Sequence, residues 1–171
     1  MWAQGPLVAY SIRYSIGVEL HDPYIQEAKS LGTHNEFIKA DCTQLEFAPG
    51  SFDAVLALDV VEHLSKEDGL ALLRNMKGWA RKKVIIEVPN GFTSGHVVDG
   101  NELQLHRAGY TAKELRDLGF EVRGMRLKTC PFSPNPFLNS VLQMIGYPMR
   151  ALAYHQPMIC WQYIAMPPAM R

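Results

Sequence analysis

The sequence has few cysteines and none spaced as pairs. Cys42, Cys130 and Cys160 are scattered, odd in number and without a CxxC spacing, which argues against a disulfide framework or a structural zinc site and fits a reducing cytoplasm. An excess of one charge is lacking too. Seventeen Lys and Arg balance seventeen Asp and Glu, so no net field draws the chain to nucleic acid or to an anionic membrane. No apolar run approaches the roughly 20 residues that a membrane span needs. The opening residues, "MWAQGPLVAYS", lack a basic segment followed by a sustained apolar stretch and do not read as a secretory signal. There is no internal repeat and no low-complexity tract.

What is present suits one compact domain over residues 1–171, with 47% hydrophobic residues to fill its core. "SIGVEL" (15–20) reads as a short strand. Asp22 follows as an N-cap with Pro23 at the first helical position, and Ile25, Ala28 and Leu31 mark one face of a helix that Gly32 stops. "EFIKADC" (36–42) is a second strand. After the polar turn "APGSFD", the continuously apolar "AVLALDVV" (54–61) reads as a strand covered on both faces. Ser65 and Asp68 resemble a capping box, opening a helix with Leu70, Leu73 and Met76 at helical spacing that ends near Trp79. There Arg81, Lys82 and Lys83 meet the negative end of its dipole. "VIIEVP" (84–89) is the next apolar strand. Thr111 and Glu114 form a further capping box on a short helix stopped by Gly119, and "FEVRGMRLK" and "MICWQYIAMP" read as late strands.

Strand and helix thus alternate before two closing strands. This order predicts an α/β fold: a doubly wound, mostly parallel, Rossmann-like sheet with helices on both faces and an antiparallel C-terminal strand pair. In such sheets ligands sit beyond the C-terminal strand ends. Glu19, Asp41 and Asp59 each fall at such an end, so a parallel sheet is expected to gather them on one edge, where a carboxylate can accept two hydrogen bonds from vicinal ribose hydroxyls. Each acid taken singly also fits a solvated loop residue or a helix cap.

"GVELHDPYIQEAKS", "FIKADCTQLEFAPGSFDAVLALDVVEHL", "VIIEVPNG" and "HRAGYTAKELRDLGFEV", in that order and spacing, resemble the class I S-adenosylmethionine-dependent methyltransferases, in their small-molecule, ubiquinone-biosynthesis-like branch. The resemblance runs from about Ser15 to Glu121. It implies S-adenosylmethionine as cofactor, with Glu19 and the adjoining Leu20 at the ribose, Asp41 and the backbone around Cys42 at the adenine, and Asp59 under the methionine part. His63 in "DVVEHL" and His106 in "LQLHRAGYT" would face a small-molecule acceptor, where either imidazole could take a proton near neutral pH. Each also fits a structural, hydrogen-bonding histidine. Methyl transfer from a sulfonium needs in-line positioning more than acid–base help, so the chemistry requires neither. No metal ligands are expected.

The family's first strand and glycine-rich loop have no counterpart here. The expectation is an N-terminally truncated sheet that begins just past that loop, with residues 1–14 as a remnant of the first helix region. The gap is expected to be closed by direct pairing of "SIGVEL" with "AVLALDVV" or by a strand from a second chain, with a substitute strand from "PLVAYSI" as the third possibility. Residues 132–156 hold an apolar helical insertion before the last strand, built around "NPFLNSVLQMIGYPMRALAY". It fits packing on its own sheet edge, a homodimer contact or a lid over a hydrophobic acceptor; a membrane role is weakened by the missing basic face. Two functions from different classes follow. One is a cytoplasmic methyltransferase for a small molecule; the other is a non-catalytic, truncated methyltransferase-like domain serving as a scaffold or self-associating module. A nicotinamide-dependent dehydrogenase ranks third, since it needs the same glycine motif.

Overall fold

The computed structural model describes residues 12–97, 100–125 and 162–167. The chain divides into two compact units, residues 1–46 and 47–171, and each is described by itself. Among the described residues no helix is long and apolar enough to cross a membrane. The 132–156 insertion and the "PLVAYSI" segment fall outside the described residues, except for Ile12.

In the first unit, strand β1 (Ile16–Glu19) and strand β2 (Glu36–Lys39) pair in parallel from Ile16↔Glu36 to Glu19↔Lys39, joined by helix α1 (Asp22–Ser30). Ile25 is the buried anchor of α1. The cap differs from expectation. His21 holds the N-cap position without a side-chain capping bond, and Asp22 is already helical, paired to Lys39. Just before the helix, Glu19 Oε1 accepts the backbone N–H groups of Leu20 and His21 at 2.8 Å each.

The second unit holds a four-stranded sheet in the order β3-β4-β6-β5, built from β3 (Phe52–Leu58), β4 (Ala80–Pro89), β5 (Glu121–Gly124) and β6 (Gln162–Met166). β3 and β4 are parallel, and β6 runs antiparallel to both β4 and β5. Three strands therefore share one direction, as the α/β reading predicts. Helix α2 (Lys66–Trp79) opens on Ser65, whose Oγ accepts the Asp68 N–H, and helix α3 (Ala112–Asp117) opens on a complete Thr111–Glu114 capping box. Gly32 and Gly119 stop α1 and α3 in the left-handed region, with φ of +62° and +80°.

The core of this unit is alternation made physical. Val84, Ile86 and Val88 on one face of β4 are fully buried, with Leu72, Leu73, Met76 and Trp79 of α2, Leu115 of α3 and Tyr163 and Ala165 of β6 also buried. Each large apolar side chain so removed from water contributes about 1.5–3 kcal/mol. Phe47 lies edge-on to Phe52 and Trp79, at 4.9 and 5.2 Å between ring centres.

Two expectations change. β3 is not covered on both faces, since Leu56 remains 55% exposed and, among the described residues, β3 pairs only with β4. Arg81 and Lys82 lie inside β4, which starts at Ala80, and both reach Asp53 of β3, at 3.1 and 3.0 Å, because parallel pairing brings the two strand starts together.

Candidate active site

Glu19 ends β1, and Asp41 follows β2, so parallel pairing puts both at the C-terminal edge of the first unit's sheet. Asp41 is the N-cap of the turn Cys42–Gln44, its Oδ1 accepting the Thr43 N–H and hydroxyl at 2.8 Å. Leu20 is exposed beside Glu19, and Cys42 is half-buried. Both carboxylates thus hold backbone donors of the next turn, which fixes their positions at the sheet edge.

Asp59 ends β3 in the second unit. Its backbone is left-handed, φ +51°, its N–H donates to Glu87 O at 3.1 Å, and its Oδ1 accepts from Gln162 Nε2 at 3.3 Å. A non-glycine residue in that region is uncommon, and for Asp the short polar side chain lowers the cost. The turn Val61–His63 follows at once. Gln162 reaches the same edge because β6 is antiparallel, its first residue standing opposite Pro89, the last of β4.

These strand ends, with Ser94 to His96, Gln104 and His106, line a cleft of about 360 Å³. His63 and His106, forty-three positions apart in the chain, meet there edge-to-face with ring centres 4.8 Å apart. The segment after Leu105 is what joins them. Arg107 N and Ala108 N both donate to Glu62 O, at 2.7 and 3.0 Å, and Lys66 Nζ donates to Gly109 O at 2.6 Å while pairing with Glu114 at 2.8 Å. Lys66 and the Thr111 cap hold the Glu114 carboxyl down to about 2. Gly95 permits the closest approach, since a Cβ there would meet Gln104 O and His106 N at 2.6 Å.

Glu62 is the residue that sequence reading missed. It is 2% exposed, and its Oε2 has no hydrogen-bond partner. Burial, and then the charges of Asp59 and Glu87, push its pKa up to about 8, so it is a neutral acid at pH 7. Burial also lowers the His63 pKa, with the nearby His106 adding to the effect. The "VEHL" segment shows both residues side by side, but Glu62 is buried by a loop more than forty residues later. No local pattern carries that information.

The comparisons with known proteins follow this geometry. Residues 4–86 match the family model of a methyltransferase domain. The structure is similar to that of an S-adenosylmethionine-dependent methyltransferase from Archaeoglobus fulgidus, at 20% identity and a TM-score of 0.56, over 92% of this chain and 76% of that one. The fold is that of the class I S-adenosylmethionine-dependent methyltransferases. Similarity extends to the [4+2]-cyclase SpnF, at 14% identity and a TM-score of 0.51, over 91% of this chain and 67% of that one. It also extends to magnesium protoporphyrin IX methyltransferase from Synechocystis PCC 6803 with bound S-adenosylmethionine, at 17% identity and a TM-score of 0.44. The chain spans 58% of that enzyme's length, with 91% of its own covered. No curated protein matches the sequence. A methyltransferase fold that also serves a cyclase fixes no reaction by itself; the site must do that.

Proposed function

We propose that this chain is an S-adenosylmethionine-dependent methyltransferase acting on a small molecule. The observation that carries the reading is the carboxylate at the end of the first described strand of a methyltransferase fold. Glu19 is held there by two backbone N–H groups, in the position from which a carboxylate takes a ribose diol. Glu19 and Leu20 hold the ribose in this reading, Asp41 and Cys42 border the adenine, and Asp59 holds the methionine part. The cleft of about 360 Å³ is the acceptor side, in the size range of small-molecule sites. His63 and His106 contact the acceptor and take its proton as the methyl group leaves the sulfonium, while most of the rate comes from alignment of the two reactants.

Calorimetric titration with S-adenosylmethionine and with S-adenosylhomocysteine tests this. Saturable binding is expected, weakened about 10-fold or more by Glu19→Ala, the loss of a charged bidentate contact. Absence of heat at high micromolar ligand would sink the enzyme and leave a non-catalytic methyltransferase-like scaffold.

A further inference from the structure

We propose that Glu62, His63 and His106 form a binding site for a divalent transition-metal ion of the zinc type. Each offers one ligand atom, and the three atoms lie within 4.8 Å of one another. A bond of about 2.1 Å to each requires donors no more than about 4 Å apart, a closure of about 1 Å that side-chain rotation supplies.

Three features of the cluster go beyond proximity. His63 Nδ1 faces the Leu105 carbonyl at 3.3 Å, and His106 Nδ1 faces the Thr93 carbonyl at 2.8 Å. A carbonyl only accepts, and the Thr93 hydroxyl, 3.0 Å from His106 Nδ1, can turn to accept as well, so the tautomer with the proton on Nδ1 satisfies these contacts and leaves each Nε2 its lone pair. This is how metal-binding imidazoles are held, by a hydrogen bond on the opposite ring nitrogen that fixes tautomer and orientation. The third donor is a carboxylate buried to within 2% of complete exclusion, with Oε2 unpartnered. Such an oxygen is costly to bury unless something satisfies it. The backbone support is also fixed, because Glu62 O is gripped by Arg107 and Ala108 N–H and Gly95 packs on His106 N.

Two nitrogens and one oxygen suit zinc, cobalt or nickel better than magnesium or calcium, which take oxygen ligands. With the ion bound, both imidazole lone pairs are committed to it, and its Lewis acidity replaces a basic nitrogen toward the acceptor. The site lies wholly within the second unit and does not depend on the cofactor.

Zn²⁺ titrated by calorimetry into chelator-treated protein, with Co²⁺ absorption as a second probe, decides the proposal without S-adenosylmethionine, so it fails or succeeds apart from the methyltransferase reading. One saturable equivalent is expected. Glu62→Gln and His106→Ala are each expected to weaken it about 10-fold or more, and His34→Ala, in the first unit, to leave it unchanged. Should either variant fail to fold, imidazole nitrogen NMR of the unaltered protein replaces it: Zn²⁺ must shift the Nε2 resonances of His63 and His106 while their Nδ1 protons persist. No saturable binding at high micromolar metal, binding that survives both substitutions, or shifts confined to other histidines would overturn the site.

Discussion

Acids at or just past strand ends in the two units are treated in opposite ways. In the first unit Glu19 is half-buried and Asp41 exposed, and each is satisfied within two residues, by the N–H groups or hydroxyl of the turn that follows. In the second unit Glu62 is enclosed by a loop from far along the chain and has an oxygen with nothing to bind. The first arrangement costs little. The second holds a carboxyl neutral by desolvation, at a cost in stability that packing around it must offset. Local satisfaction yields a rigid contact point, and burial yields a reactive one.

The sharpest way to break this contrast is to remove the packing. Tyr110 is completely buried, its hydroxyl donates to Val61 O at 3.5 Å, and Lys66 Nζ sits 3.9 Å above its ring. Tyr110→Ala is expected to destabilise the second unit by about 3–5 kcal/mol in urea denaturation. A loss below about 1 kcal/mol would show that the loop around Glu62 is not held as described.

The next test is pH. Glu62 titrates near 8 when folded against an ordinary 4.5, so the folded chain binds this proton more tightly than the unfolded one. The stability it brings is complete below about 4.5 and drains away as pH rises to about 8. Between pH 5 and 8.5, in chelating buffer, the protein is expected to lose about 2–4 kcal/mol more than Glu62→Gln does. Parallel pH profiles for the two would contradict the neutral carboxyl.

Gly95→Ala should cost about 1–3 kcal/mol, because its Cβ must push back the Gln104 carbonyl and the His106 N–H. Its His106 imidazole resonances should move in NMR while those of His34 stay. The smallest effect belongs to the acids of the first unit. Glu19→Ala is expected to shift the melting free energy by no more than about 0.5 kcal/mol, since water can replace its two backbone contacts. A large loss there would mean that the first unit depends on Glu19 for its fold rather than for a ligand.

What the sequence disclosed follows the range of the forces involved. Ser65, Thr111, Gly32 and Gly119 were readable because caps and left-handed stops are settled within four residues. Strand direction came from the alternation of elements. The early start of β4 was hidden behind Arg81, Lys82 and Lys83, charges that look like the end of a helix until Asp53 is brought opposite them. The exposure of Leu56 was equally hidden, since a run of apolar residues reports affinity for cover and says nothing of whether cover arrives. In the site, both histidines were visible as types near strand ends, while their meeting and the burial of Glu62 depend on where residues 105–108 return.

The last strand, β6, sits between β4 and β5, and it carries Gln162 to Asp59. A ribosome therefore delivers the middle of this sheet after both of its flanks, and among the described residues β5 meets its ladder partner only when residues 162–166 emerge. Assembly of the cleft is consequently a late, long-range event, slow by the usual relation between sequence separation and rate.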